Sequence, residues 1–180
     1  MGVKRVLIIS PYFPPSNAAD MQRIRMSLPY FKDFGWDAEV VSIDPKHSDK
    51  VKDDYLLESI PDDIPVHMVQ AFSKKWTSKF GLGSIALRSL WFYRQKVNGL
   101  LKQKQYDLIY FSTTQFPVCI LGAYWKNRFG IPYVIDLQDP WHSLLRLRSP
   151  LMRQLPTRRR PKRSPRRPRS TSQRRPEARS

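Results

Sequence analysis

Five short apolar runs alternate along this chain with stretches of helical period, and that alternation leaves few folds open to it. Lys4 to Ser10, Glu39 to Ile43, Val66 to Val69, Asp107 to Ser112 and Pro132 to Leu137 read as strands, rich in Val and Ile. Between them, Asp20 to Phe34 repeats Met21, Ile24, Leu28 and Phe31 at helical spacing and is closed by Gly35; Pro29 predicts a kink or an early stop. Ser84 to Lys104 carries a stripe of Ala86, Leu90, Val97 and Leu101, and Phe116 to Phe129 starts with Pro117 and stops at Gly130. Strands that alternate with helices imply right-handed βαβ units. The expected fold is α/β, a single Rossmann-like, doubly wound parallel sheet with helices on both faces. Ligands of such sheets sit beyond the carboxyl ends of the strands. The informative loops therefore follow Ser10, Ile43, Ser112 and Leu137.

Composition limits how much of the chain shares that fold. Residues 1 to 143 hold 18 Lys+Arg against 14 Asp+Glu, whereas residues 144 to 180 hold 14 basic residues against Glu177 alone. The base changes as well: the tail has 13 Arg, only Lys162, six prolines and no aromatic residue. Such a segment cannot bury a core and is expected to be disordered. The expected organisation is thus one domain over 1–143 and an Arg/Pro/Ser-rich tail over 144–180. An abrupt switch of this kind is what a shifted reading frame produces, so a frameshifted tail on a truncated fragment is expected ahead of a functional basic arm. With one cysteine, Cys119, no disulfide can form within the chain, and His47, His67 and His142 show no zinc spacing. No metal or resident cofactor is expected. No run approaches the roughly 20 apolar residues that span a bilayer, so the expected location is cytoplasmic.

The loops narrow the chemistry. A dinucleotide site needs a glycine-rich first loop so that backbone meets pyrophosphate, yet no glycine lies between Val3 and Phe34. Three segments instead resemble the N-terminal, acceptor-side domain of family 4-like glycosyltransferases with the GT-B fold. The first is Val6-Leu-Ile-Ile-Ser-Pro-Tyr-Phe-Pro-Pro, similar to the family's opening strand and Tyr-x-Pro-Pro loop. In the second, Arg23 to Val41, a helix ends in Phe34-Gly35-Trp36 before a strand. The third runs from Tyr106-Asp107-Leu-Ile-Tyr to Gly130-Ile-Pro-Tyr-Val-Ile-Asp136-Leu-Gln-Asp139-Pro-Trp141. The resemblance covers most of residues 4 to 143 and implies half of a two-domain sugar transferase. Its co-substrate would be a nucleotide-sugar and its acceptor a glycan or a lipid-linked molecule. The family's Glu-x7-Glu pattern, which belongs to the other domain, is absent, so little or no turnover is expected of this chain alone.

Site residues follow from the strand ends. Asp139 reads either as a catalytic base or sugar-hydroxyl ligand, or as a cap ahead of Pro140. Arg23 and Arg25 stand where they can meet an anionic donor or acceptor, or are solvated helix charges. Thr113, Thr114 and Gln115 follow the fourth strand and are expected to line the acceptor cleft. Asn17, Ala18 and Ala19 occupy the positions of the family's Gly-Gly pair, where the resemblance implies contact with the donor diphosphate. The turn near Asp20 offers N–H groups to an anion. Asp136 is expected to be structural and Trp141 to pack.

Lys74, Lys75, Trp76, Arg88, Trp91 and Arg94 combine bases with interfacial aromatics, as in a segment lying on an anionic membrane; the alternative is a core helix with solvated bases. Peripheral contact with the inner face of a membrane is therefore expected. Two other classes stay open: a nucleic-acid-binding protein whose arginine tail grips phosphates non-specifically, and a non-catalytic sugar- or lipid-binding module.

Overall fold

The five apolar runs form one parallel sheet in the order β3-β2-β1-β4-β5. The structure, a computed structural model, describes residues 2–77 and 83–138, which belong to one compact unit, Met1–Trp141. The strands are β1 Lys4–Ile9, β2 Trp36–Ile43, β3 Val66–Val69, β4 Leu108–Ser112 and β5 Tyr133–Asp136. The helices are α1 Gln22–Ser27, α2 Lys74–Thr77, α3 Ile85–Gln103 and α4 Ile120–Phe129. β1 is central, pairing Ile8 with Val40 on one side and with Tyr110 on the other. Its side chains alternate between two cores, as the two-residue period of a strand requires. Val6 and Ile8 join Ile24, Leu28 and Ile64 on the α1 face, whereas Leu7 and Ile9 join Tyr93, Val97 and Trp125 beneath α3 and α4. Helices thus cover both faces, and the sheet is doubly wound as expected. Among the described residues no helix is long and apolar enough to cross a membrane.

Besides β2, which starts at Trp36 rather than Glu39, two helical segments have limits other than those expected. The helix over 20 to 34 is α-helical only from Gln22 to Ser27; 3-10 turns at Ala19–Met21, Leu28–Tyr30 and Lys32–Phe34 flank it. Pro29 has no N–H to donate and its ring crowds the preceding turn, so the chain tightens instead of continuing. Gly35, at φ 75, then closes it in the left-handed region. Likewise Pro117 starts a 3-10 turn, Phe116–Cys119, and α4 begins only at Ile120.

The close seat of α4 on the sheet depends on Gly122. A Cβ there would meet Tyr133 Cδ2 at 2.7 Å and Phe111 Cε2 at 2.9 Å. Both rings are packed, Phe111 edge-on to Tyr133 with centroids 6.1 Å apart. Gly122→Ala should therefore destabilise the domain by about 2 kcal/mol through overpacking. A fall in the urea midpoint at unchanged slope would register it; an unchanged midpoint would show that the rings yield freely.

At the far end of α3, a carboxylate ties three elements together. Glu39 on β2 is 4% exposed; it accepts from Lys104 Nζ at 2.6 Å and bonds His67 Nε2 on β3 at 2.7 Å. The Tyr106 hydroxyl is buried beside it. Burial alone would raise the Glu39 carboxyl, but the hydrogen bonds from Lys104 and His67, with the Tyr106 hydroxyl next to them, outweigh it and hold the carboxyl below its ordinary value. Because the folded value is the lower one, the unfolded chain takes up the proton first as pH falls. The tie is complete above the unfolded value of about 4.3 and is lost as the pH drops through the folded one. Stability should decline in that acid window, and Glu39→Gln should flatten the decline. An equal acid slope in both proteins would remove this assignment.

Candidate functional site

The strand order reverses between β1 and β4, so the loops leaving these two central strands diverge and leave a crevice at their carboxyl ends. A cavity of about 320 Å³ occupies it, lined by Tyr12, Ala18, Ala19, Asp20, Arg23, Lys50, Thr114, Gln115 and Gln138. A larger cavity of about 540 Å³ lies at the opposite end of the sheet, between Leu101–Asp107 and Phe129–Pro132. That hollow is bordered by the starts of β4 and β5, away from the carboxyl edge where side chains from separate loops converge, and the smaller cavity is the better site.

Asp20 organises the floor. It is buried, and its Oδ2 accepts from Thr114 N at 3.2 Å, Thr114 Oγ1 at 3.1 Å and Thr113 Oγ1 at 3.4 Å. The loop after β1 is thereby locked to the loop after β4. Thr113 is itself fully buried and receives the Gln115 N–H at 2.8 Å, so it supports the loop rather than facing the cavity. Thr114 lines the cavity, and having given its proton to Asp20 it presents only lone pairs to a ligand. Gln138 Nε2 donates to Asp20 O at 3.0 Å, Ser112 Oγ at 3.0 Å and Asp136 Oδ2 at 3.3 Å, fixing its amide where the loops meet.

The rim carries charge. Arg23 reaches across the sheet end to Asp136, with Nη1 to Oδ1 at 2.5 Å. Lys50 arrives on the long β2–β3 loop, which is stitched to the first loop by a bridge between Ser16 and Lys52 and by Asn17 N donating to Val51 O at 2.7 Å. Its ammonium sits over the Tyr12 ring, 5.4 Å from the centroid. Burial, with Asp49 and Asp20 nearby, raises the Tyr12 phenol, which therefore stays a neutral hydroxyl. Among the described residues no group of three His, Cys, Asp or Glu side chains is placed to hold a metal.

The expected site residues divide accordingly. Ala18, Arg23, Thr114 and Gln115 line the cavity, and Thr113 supports it. Asn17 is exposed and accepts from Gln22 at 3.3 Å outside the cavity. Arg25 turns away, binding Gln22 Oε1 at 3.0 and 2.8 Å and Ser59 at 2.6 Å. The turn near Asp20 does not offer a bare anion site: α1 is six residues long, and a carboxylate heads its entrance. Asp139, Trp141 and the tail over 144–180 lie outside the described residues, as does the side chain of Trp76. Sequence reasoning left Tyr12, Asp20, Lys50 and Gln138 off the site. All four stand in the loops singled out, Lys50 in the long one after Ile43, where nothing local marks it among its neighbours.

One membrane assignment needs correction. Arg88 is only 6% exposed and spends its Nη1 on Phe72 O at 2.8 Å, so it is an interior clamp. Arg94 is exposed and lies over the Tyr124 ring at 4.7 Å, on the α4 side.

No family model matches the chain, and no curated protein matches it. Among solved structures, a predicted subunit of a tRNA methyltransferase from Methanocaldococcus jannaschii is similar at 13% identity with a TM-score of 0.40. The match covers 80% of this chain and 73% of that one. At that score the likeness carries no argument about function.

Proposed function

We propose that this domain is the acceptor-binding half of a glycosyltransferase that uses a nucleotide-sugar, and that the β1/β4 cavity holds a hydroxyl-rich acceptor. The observation that carries the reading is the Asp20–Thr114 bond, which presents an acceptor oxygen to any ligand hydroxyl. Gln115 adds an amide and Tyr12 a neutral hydroxyl beside it. Side chains of this kind exchange hydrogen bonds with a polyol and leave few unpaired when it binds. Arg23 and Lys50 at the rim suit an acceptor that also bears a phosphate. The first loop, without glycine, disfavours a dinucleotide. The resemblance in the strand-end loops supports the same reading, and in it the donor is gripped by a second domain across a cleft.

A titration tests it directly. Methyl hexosides and short oligosaccharides should shift the amide signals of Thr114 and Gln115, whereas NAD should leave them in place. Thr114→Val removes the acceptor oxygen at constant shape and should weaken binding about tenfold. Saturable NAD binding with no response to any sugar at millimolar concentration would sink the proposal.

A further inference from the structure

Phe72, Trp91 and Phe92 form a cluster of rings, with centroids 6.3 Å apart for Phe72–Trp91, 4.8 Å for Phe72–Phe92 and 4.9 Å for Trp91–Phe92. Phe72 is 48% exposed and Trp91 49%. The exposure is not that of a loose loop. Phe72 N donates to Arg88 O at 3.1 Å, and the buried Arg88 guanidinium holds Phe72 O in return. A guanidinium withdrawn from water is thus committed to fixing an apolar ring at the surface.

The surrounding charge has one sign. From Ile64 to Tyr106 the sequence contains no Asp or Glu but eight Lys and Arg. Arg88 and Arg94 are engaged as described and Lys104 serves Glu39, whereas Lys74, Lys75 and Lys96 are exposed. The nearest acidic partner comes from the next loop, Asp49, 3.4 Å from Lys74 and itself exposed. Phe72 follows the carboxyl end of β3, and Asp49 adjoins Lys50 of the cavity rim, so the ring cluster stands at the cavity's end of the sheet.

We infer that the Phe72–Trp91–Phe92 face seats the protein on an anionic lipid surface, with Lys74, Lys75 and Lys96 among the headgroups. Amphipathic rings partition to the headgroup boundary, and lysines beside them gain from the negative surface potential. Three rings are too few for a stable protein interface, which buries about 1,200 Å² or more. They are enough for shallow insertion.

The full chain is the right material, because its tail supplies a built-in contrast. The tail adds salt-sensitive attraction to any anionic vesicle, but it holds no aromatic residue to insert. Vesicles of phosphatidylcholine and phosphatidylglycerol in equal parts, with brominated acyl chains, are mixed with the protein at low salt and at about 0.5 M salt. Tryptophan quenching and a bound fraction that survives high salt are the expected results. Trp91→Phe should abolish most of the quenching, and Phe72→Ser should lower the salt-resistant partition about tenfold. Binding that vanishes at high salt without quenching, or quenching unaltered in Trp91→Phe, would overturn the inference. So would a dimer in solution that Phe72→Ser converts to monomer, since a second copy would then cover the face.

Discussion

Trp125→Ala should destabilise the domain by about 4 kcal/mol, within the range for deleting a fully buried large aromatic. The Trp125 side chain is 0% exposed and its ring lies parallel to Phe111, 6.2 Å between centroids and 14° between planes. Its Nε1 also donates to Asn98 Oδ1 at 3.1 Å, which ties α4 to α3. Truncation therefore leaves a void under the sheet and takes the Asn98 oxygen's indole partner away, two penalties that add. Against a total stability of 5–15 kcal/mol for typical domains, the expected loss is large. The cost should also reach the cavity, because α4 and the 3-10 turn before it anchor Thr114 and Gln115. Trp125→Phe keeps most of the packing and loses the hydrogen bond, so about 2 kcal/mol is expected of it. Urea unfolding of both variants checks the pair; a loss below about 1 kcal/mol for the alanine variant would mean that the α3–α4 layer adds little to stability.

The contrast between what the sequence disclosed and what it hid has a physical basis. Short runs rich in Val, Ile and Leu announce strands, and β1, β3 and β4 fall within a residue of their expected limits. β2 begins earlier than expected, at Trp36, because Trp36, Asp37 and Ala38 pair with Lys4, Arg5 and Val6. Asp37 is no strand former, and only its neighbour strand places it there. The helix that follows β1 stops at Ser27, the early stop expected from Pro29, and the stripe Met21, Ile24, Leu28 survives the change from α to 3-10 turns. In α3 the apolar stripe was right in direction, yet it does not reveal that Arg88 and Tyr93 are buried on that helix too. A guanidinium goes inside only when a carbonyl waits for it, and Phe72 O belongs to a different loop.

The site shows the same division. Loops at strand ends can be listed from the sequence once the fold class is known, which is why Thr114, Gln115 and Arg23 were within reach. Which atoms of those loops meet is a matter of tertiary contact. Asp20 and Thr114 lie 94 residues apart, and Gln138 and Asp20 lie 118 apart. Lys50 is brought in by backbone pairing of Ser16 with Lys52, a contact with no periodic signature.

The second large effect is expected at Asp20, where structure and recognition can be separated by two substitutions. Asp20→Ala removes the acceptor of three hydrogen bonds and leaves the buried Thr113 hydroxyl without that partner, which should cost about 2 kcal/mol of stability. The β1 and β4 loops would then part, and hexoside affinity should fall about 100-fold because the cavity loses its shape. Asp20→Asn is the sharper probe. All three bonds meet on the single oxygen Oδ2, and the Thr114 N–H can only donate, so an asparagine sets its amide oxygen at that point and keeps them. Stability should then change by less than about 1 kcal/mol. Thr114 Oγ1 would still turn its lone pairs to the cavity, and only the charge behind its proton is lost. Hexoside affinity should therefore fall by less than about tenfold, against the 100-fold expected of Asp20→Ala. A stable Asp20→Asn protein that loses affinity as far as Asp20→Ala, or an Asp20→Ala protein that binds hexosides as tightly as the wild type, would refute the role given to the Asp20–Thr114 bond.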